Sequence, residues 1–114
     1  MTSILDSIKQ LLGISSTDTT FDNELIMFIN GALMIMTQLG VGPEAGYRIT
    51  SKTNVWTELL GTRTDLDLVL SAIYLRVRLI FDPPTNAFLV TSMEKQIAEY
   101  DWRIEAWHNP QSEV

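Results

Sequence analysis

Glu105 and His108 stand three residues apart, the Glu-x-x-His step that in di-iron helical bundles sets a carboxylate and an imidazole on one helix face. Such a centre needs two of these steps and two further inward glutamates. This chain has one histidine, so only a symmetric dimer could complete it. A solvated histidine near a helix C-terminus, where positive charge is mildly favourable, explains the step without a metal. Gly40-x-Gly42-x-x-x-Gly46 has the glycine density of a phosphate-cradling loop. Its spacing is wrong, however, it follows a helical pattern rather than a strand, and it carries no Lys-Ser/Thr, so it reads as a turn-rich loop. Carboxylates pair along the sequence as Asp18/Asp22, Asp65/Asp67 and Asp101/Glu105. The first two pairs fall at predicted helix N-termini, where negative charge offsets the helix dipole and caps free N–H groups. Zero cysteines remove thiolate nucleophiles, disulfides and nearly every structural zinc site. With no credible serine–base arrangement either, the expectation is a non-enzyme with no catalytic residue, no cofactor and no metal.

The elements that carry these residues occupy 114 positions, one domain's worth of chain, read as a domain over 1–108 with a short tail at 109–114. Apolar residues are 46% and charged residues 19%, which suffices for a real core with apolar surface left over. The net charge of −6 would repel a nucleic-acid backbone or an anionic membrane at long range. Synthesis in a reducing cytosol is expected, and the start Met-Thr-Ser-Ile-Leu-Asp lacks the features of a signal peptide.

Hydrophobic periodicity predicts an all-α fold of about five helices with one irregular loop at 40–53. Ile4, Leu5, Ile8, Leu11 and Leu12 give a one-stripe helix over 2–12, closed by a left-handed cap at Gly13 with Ile14 folding back. Thr19 and Asp22 form an acidic capping box before a helix over 20–39, in which Ile26, Met27, Met34 and Ile35 widen the apolar stripe. A membrane span there is disfavoured, because Leu25 to Leu39 is short, contains Asn30, Gly31 and Gln38, and lacks a basic flank. Tyr47 to Ile49 could pair as an edge strand, but no other segment offers a partner. Residues 54–60 form two turns ended by Gly61. Thr64 and Asp67 open a helix over 65–82 that Asp82-Pro83-Pro84 halts, and a last helix runs from about 85 or 86 to 107.

Two helices offer more than punctuation. On the fourth, Arg78 lies on a polar stripe with Asp67, Ser71, Tyr74 and Asp82, whereas Arg76 sits about 200° away among Val69, Ala72 and Ile80. A guanidinium on the apolar side either finds a carboxylate, within or between subunits, or snorkels to water. On the last helix, Val90, Met93, Ile97, Tyr100, Ile104 and Trp107 trace an a/d seam, to be packed on the chain's own core or on another subunit. Phe88 and Trp102 face the other way around Lys95, and Lys95–Glu99 and Glu99–Arg103 are expected as supporting i, i+4 pairs. Trp102 is either an anchor for a partner or covered by another helix of the same chain.

In this order and spacing, Ile4-Leu5-Asp6-Ser7-Ile8-Lys9-Gln10-Leu11-Leu12-Gly13-Ile14, Gln38-Leu39-Gly40-Val41-Gly42-Pro43-Glu44 and Leu79-Ile80-Phe81-Asp82-Pro83-Pro84-Thr85, before a helix containing Glu99-Tyr100-Asp101-Trp102-Arg103, give a chain that resembles the head-tail connector (adaptor, or head-completion) proteins of tailed bacteriophages. The resemblance implies a small, mostly helical virion protein forming a homo-oligomeric ring, commonly of twelve copies, between the portal protein and the tail or next neck protein. DNA passes through such a ring without sequence-specific binding, and an acidic wall would let it slide. No catalytic residue comes with the family. A ring needs heterologous contacts, and the candidate interface residues are Ile26, Met27, Met34 and Ile35, then Leu68, Leu75 and Leu79, with Arg76, Phe88 and Trp102. The alternative is a helical interaction or regulatory module dimerising through the last helix, and a third is a carboxylate metal enzyme built by that dimer.

Overall fold

The computed structural model describes residues 3–108; the expected tail at 109–114 and the His108 side chain lie outside the described residues. Five helices form in the predicted order: α1 Ile4–Leu11, α2 Asp22–Gln38, α3 Trp56–Leu60, α4 Leu66–Phe81 and α5 Ala87–His108. Local chemistry sets their ends. The Ser3 hydroxyl accepts the Asp6 N–H at 3.2 Å to start α1. Gly13, at φ +80°, stops it, and the Ile14 N–H closes back on the Lys9 carbonyl at 2.8 Å. The same device ends α2, where Gly40 takes φ +94° and the Val41 N–H reaches the Met36 carbonyl at 2.9 Å. The two acidic capping boxes do not form as expected. Asp18 instead accepts the Thr20 N–H at 3.0 Å in a local turn, and no side-chain cap bond starts α2 or α4.

No strand forms among the described residues; the one isolated bridge joins Ser3 to Val55. Tyr47 to Ile49 finds a side chain in place of a strand. Asn30 on α2 accepts the Ile49 N–H at 2.8 Å and donates to the Ile49 carbonyl at 3.0 Å, as a neighbouring backbone would.

The helices stack as layers with α4 in the middle. α2 buries Leu25, Ile29, Ala32, Leu33 and Met36, and α4 buries Val69, Leu70, Ala72, Ile73, Leu75 and Val77. α4 packs on both α2 and α5, while α1 lies against α2 and α4. Directions follow from the pairings at their ends. Phe21, before α2, meets Phe81, at the end of α4, edge to face at 5.2 Å, so these helices are antiparallel. Arg76 pairs with Asp101, and Arg63 reaches the Ile104 carbonyl, so α4 and α5 are antiparallel as well. α2 and α5 therefore run the same way, both packed on α4.

This layering shows where the interface candidates lie within one chain. Leu68, Leu75 and Leu79 share the α4 stripe of Ala72 and Arg76, which α5 covers; Leu75 is buried and the other two half-buried. Ile26 and Ile35 pack half-buried against the core, because they flank rather than oppose the buried stripe of α2. The seam of α5 finds its partner within the chain: Met93 and Ile104 are buried, and Val90, Ile97 and Tyr100 half-buried. Trp107 departs from the seam and stays 50% exposed. α5 has 22 residues against 16 in α4, so its ends outrun the surface that covers its middle.

Candidate functional site

Asp22, Asp65 and Asp101, one from each sequence pair of carboxylates, are engaged by cations that hold the structure together. Lys9 is 1% exposed, and its ammonium donates to the Asp18 carbonyl at 2.7 Å, the Ser16 carbonyl at 3.4 Å and Asp22 Oδ1 at 2.8 Å. A buried cation is tolerable only with such a full set of acceptors. Arg63 grips both oxygens of Asp65 at 2.9 and 2.6 Å and spends its remaining reach on the Ile104 carbonyl at 3.2 Å. Arg76 donates to both oxygens of Asp101, one at 2.9 Å, with the pair only 15% and 24% exposed. Arg76 thus finds the expected carboxylate within the chain. Arg78 reaches only the Tyr74 hydroxyl, at 3.3 Å.

Tyr47 and Glu58 form the most perturbed titrating pair. The Tyr47 hydroxyl donates to Glu58 Oε1 at 2.6 Å, and the same oxygen accepts the Val55 N–H at 3.2 Å. Burial, then the bond to Glu58, pushes Tyr47 up to about 12, while the bond from Tyr47 holds Glu58 below the usual carboxylate range. Asp18 is also lowered, chiefly by its hydrogen bonds from Thr20. These bonds pin the loop and the start of α3. The glycine-rich loop lies close against α3: a Cβ at Gly42, where φ is +84°, would sit 2.9 Å from Leu59 Cδ1. Its glycines serve that close approach. Glu105 is exposed, and among the described residues no three His, Cys, Asp or Glu side chains gather as metal ligands. A cleft of about 680 Å³ is lined by Ser3, Asp6, Ser7 and Gln10, with neither histidine nor cysteine on its walls.

Sequence reasoning missed Lys9, Asn30 and Trp56 as structural residues. Trp56 is buried and its indole N–H donates to the Ser7 hydroxyl at 2.9 Å, 49 residues away. Nothing local marks such a partner; the one available signal was a lysine beside the apolar stripe of α1.

Large apolar side chains also remain on the outside. Met27 and Met34 on α2 are 61% and 67% exposed, and with Gly31, Asn30, Ala45, Tyr47 and Arg48 they line an open groove of about 470 Å³. Phe88 and Trp102 on α5 are 76% and 60% exposed. Ile80, which the sequence placed on the apolar side of α4, is exposed at its end. Large exposed apolar residues that recur on one helix face mark interaction surfaces. No helix among the described residues is long and apolar enough to cross a membrane. A family model described as "Phage connector protein" matches residues 4–111, nearly the whole chain. Comparison with curated proteins and with solved structures gives no match.

Proposed function

The chain belongs to the phage connector protein family, and from that membership we propose that it assembles as a ring in the neck of a tailed phage, between portal and tail, as a structural conduit for DNA. The observation that supports the ring is the pair of separate, unengaged apolar surfaces on α2 and α5. A closed ring of more than two members needs two different faces per subunit, one for each neighbour. The acidic balance of −6 suits a wall that DNA slides past, since a basic wall would hold the backbone through phosphate contacts. The role is structural rather than catalytic: the buried cations and their carboxylates are engaged in ion pairs that tie helices and loops together.

Dimerisation through the last helix is less well supported, because α4 of the same chain takes the seam that such a dimer would use. Electron-microscope class averages and native mass spectrometry of the protein, alone and mixed with its portal, test the proposal. Closed rings are expected, with twelve copies as the expected number. A twofold dimer that persists in the presence of portal would overturn it.

A further inference from the structure

The two outward faces match each other residue by residue. Along α2, Glu24, Met27, Gly31 and Met34 fall at steps of three, four and three, so they share one face, opposite the buried Leu25, Ile29 and Leu33. Along α5, Lys95, Ala98, Trp102 and Glu105 fall at the same steps on the face turned away from Met93 and Ile104. All eight are exposed. With Glu24 set opposite Lys95 in a parallel arrangement, small meets large at the next two levels: Met27 faces Ala98, and Trp102 faces Gly31, above which the space is open. At the fourth level Glu105 comes to Met34, whose groove is also lined by Arg48. Charge is complementary at both ends of the strip, Glu24 to Lys95 and Arg48 to Glu105. None of these four charges has an ion-pair partner among the described residues. Lys95 was expected to pair with Glu99, but Arg103 takes that carboxylate at 2.9 Å and leaves Lys95 unengaged.

We infer that the α2 groove is the seat for α5 of a second copy, docked parallel in the register Glu24–Lys95, Met27–Ala98, Gly31–Trp102. The inference rests on the ring proposal and names its subunit contact. Direction supports it independently. α2 and α5 run the same way within one chain, and a ring of many members relates neighbours by a small rotation that preserves direction. A parallel register is then the natural one. Heptad-spaced helix faces commonly pack this way, each large side chain entering the gap left by a small one.

The chain has no cysteine, so a crosslink can be placed without background. The double variant Met27→Cys/Ala98→Cys, oxidised while assembled, is expected to give a ladder of covalent multimers. Each single variant should give none. A ladder absent from assembled protein, or disulfide dimers from Met27→Cys alone, would overturn the inference. In a second arm, Glu24→Lys and Lys95→Glu should each weaken self-association about tenfold or more, with the double exchange restoring it; circular dichroism checks that each variant folds. Additive losses in the double exchange would overturn the pairing. Native mass spectrometry of the unaltered protein separates the two ideas. Rings without the crosslink leave the ring proposal standing and remove this contact, whereas no ring under any condition, with or without portal, removes both.

Discussion

The sector formed by α1, α3 and the loops around them differs sharply from the outer faces of α2 and α5. In the first, buried polar groups other than Asp6 Oδ1 are satisfied within the chain: Lys9 by three acceptors, Trp56 by Ser7, and the Ile49 backbone by Asn30. In the second, large apolar side chains stand in water with nothing of their own chain to cover them. One region is finished by folding, while the other is left for association. Two tryptophans make the contrast concrete, since Trp56 is 3% exposed and Trp102 is 60% exposed in the same small protein.

The largest effect should come from the finished sector. Trp56→Ala removes a buried aromatic and its hydrogen bond to the Ser7 hydroxyl, which keeps only its bond to the Ser3 carbonyl, so urea denaturation should show a loss of about 4 kcal/mol. A loss below about 1 kcal/mol would place Trp56 in the same class as Trp102.

Lys9→Ala comes next, at about 3 kcal/mol, because Asp22 and two loop carbonyls lose their shared donor. Asp22 stays partly hydrated, and Lys9→Met keeps the stem's packing and should cost less. Equal costs for the two variants would mean that the stem's packing contributes nothing and that the ammonium's bonds carry the whole loss.

Arg76→Ala should cost about 2 kcal/mol, below the range for a fully buried pair since both partners keep some exposure. Arg78→Ala should cost less than about 0.5 kcal/mol in the same thermal melts. Similar melting points for the two variants would show that the Asp101 pair does not tie α4 to α5.

A smaller effect is expected in alkali. Tyr47 holds its proton to about 12 in the folded chain but releases it near 10.0 when unfolded. The folded state thus binds more protons between these values, and stability falls as pH rises from about 10 to about 12. Tyr47→Phe should flatten that slope and cost about 1 kcal/mol at neutral pH through the lost bond to Glu58. An unchanged alkaline slope would assign it to another group.

Trp102→Ala should have the smallest effect on the isolated chain, within about 0.5 kcal/mol, while weakening assembly. Unfolding of the isolated subunit would move Trp102 from the unfinished region to the finished one.

Much of the fold was legible because it depends on local pattern. The stripe Ile4, Leu5, Ile8 and the cap at Gly13 and Ile14 are short-range facts, as is the stop at Asp82 and Pro83, and each helix end falls within about two residues of its expected position. The seam of α5 was legible as a seam, yet periodicity cannot tell an internal partner from an external one. Leu68, Leu75 and Leu79, read as candidates for a neighbour, are buried or half-buried already in the single chain.

The sequence by itself determined the helices, their ends, the apolar surplus and the family, since these rest on residue types at fixed short spacings. Only the tertiary structure decided which surplus is spent inside. It sends Arg76 to Asp101, Asn30 to the Ile49 backbone and Lys9 to the loop carbonyls, and it leaves Met27, Met34, Phe88 and Trp102 outside. The reason is physical: burial and charge pairing depend on how the layers stack in space, and contacts such as Arg76–Asp101 and Trp56–Ser7, 25 and 49 positions apart, have no local signature to read.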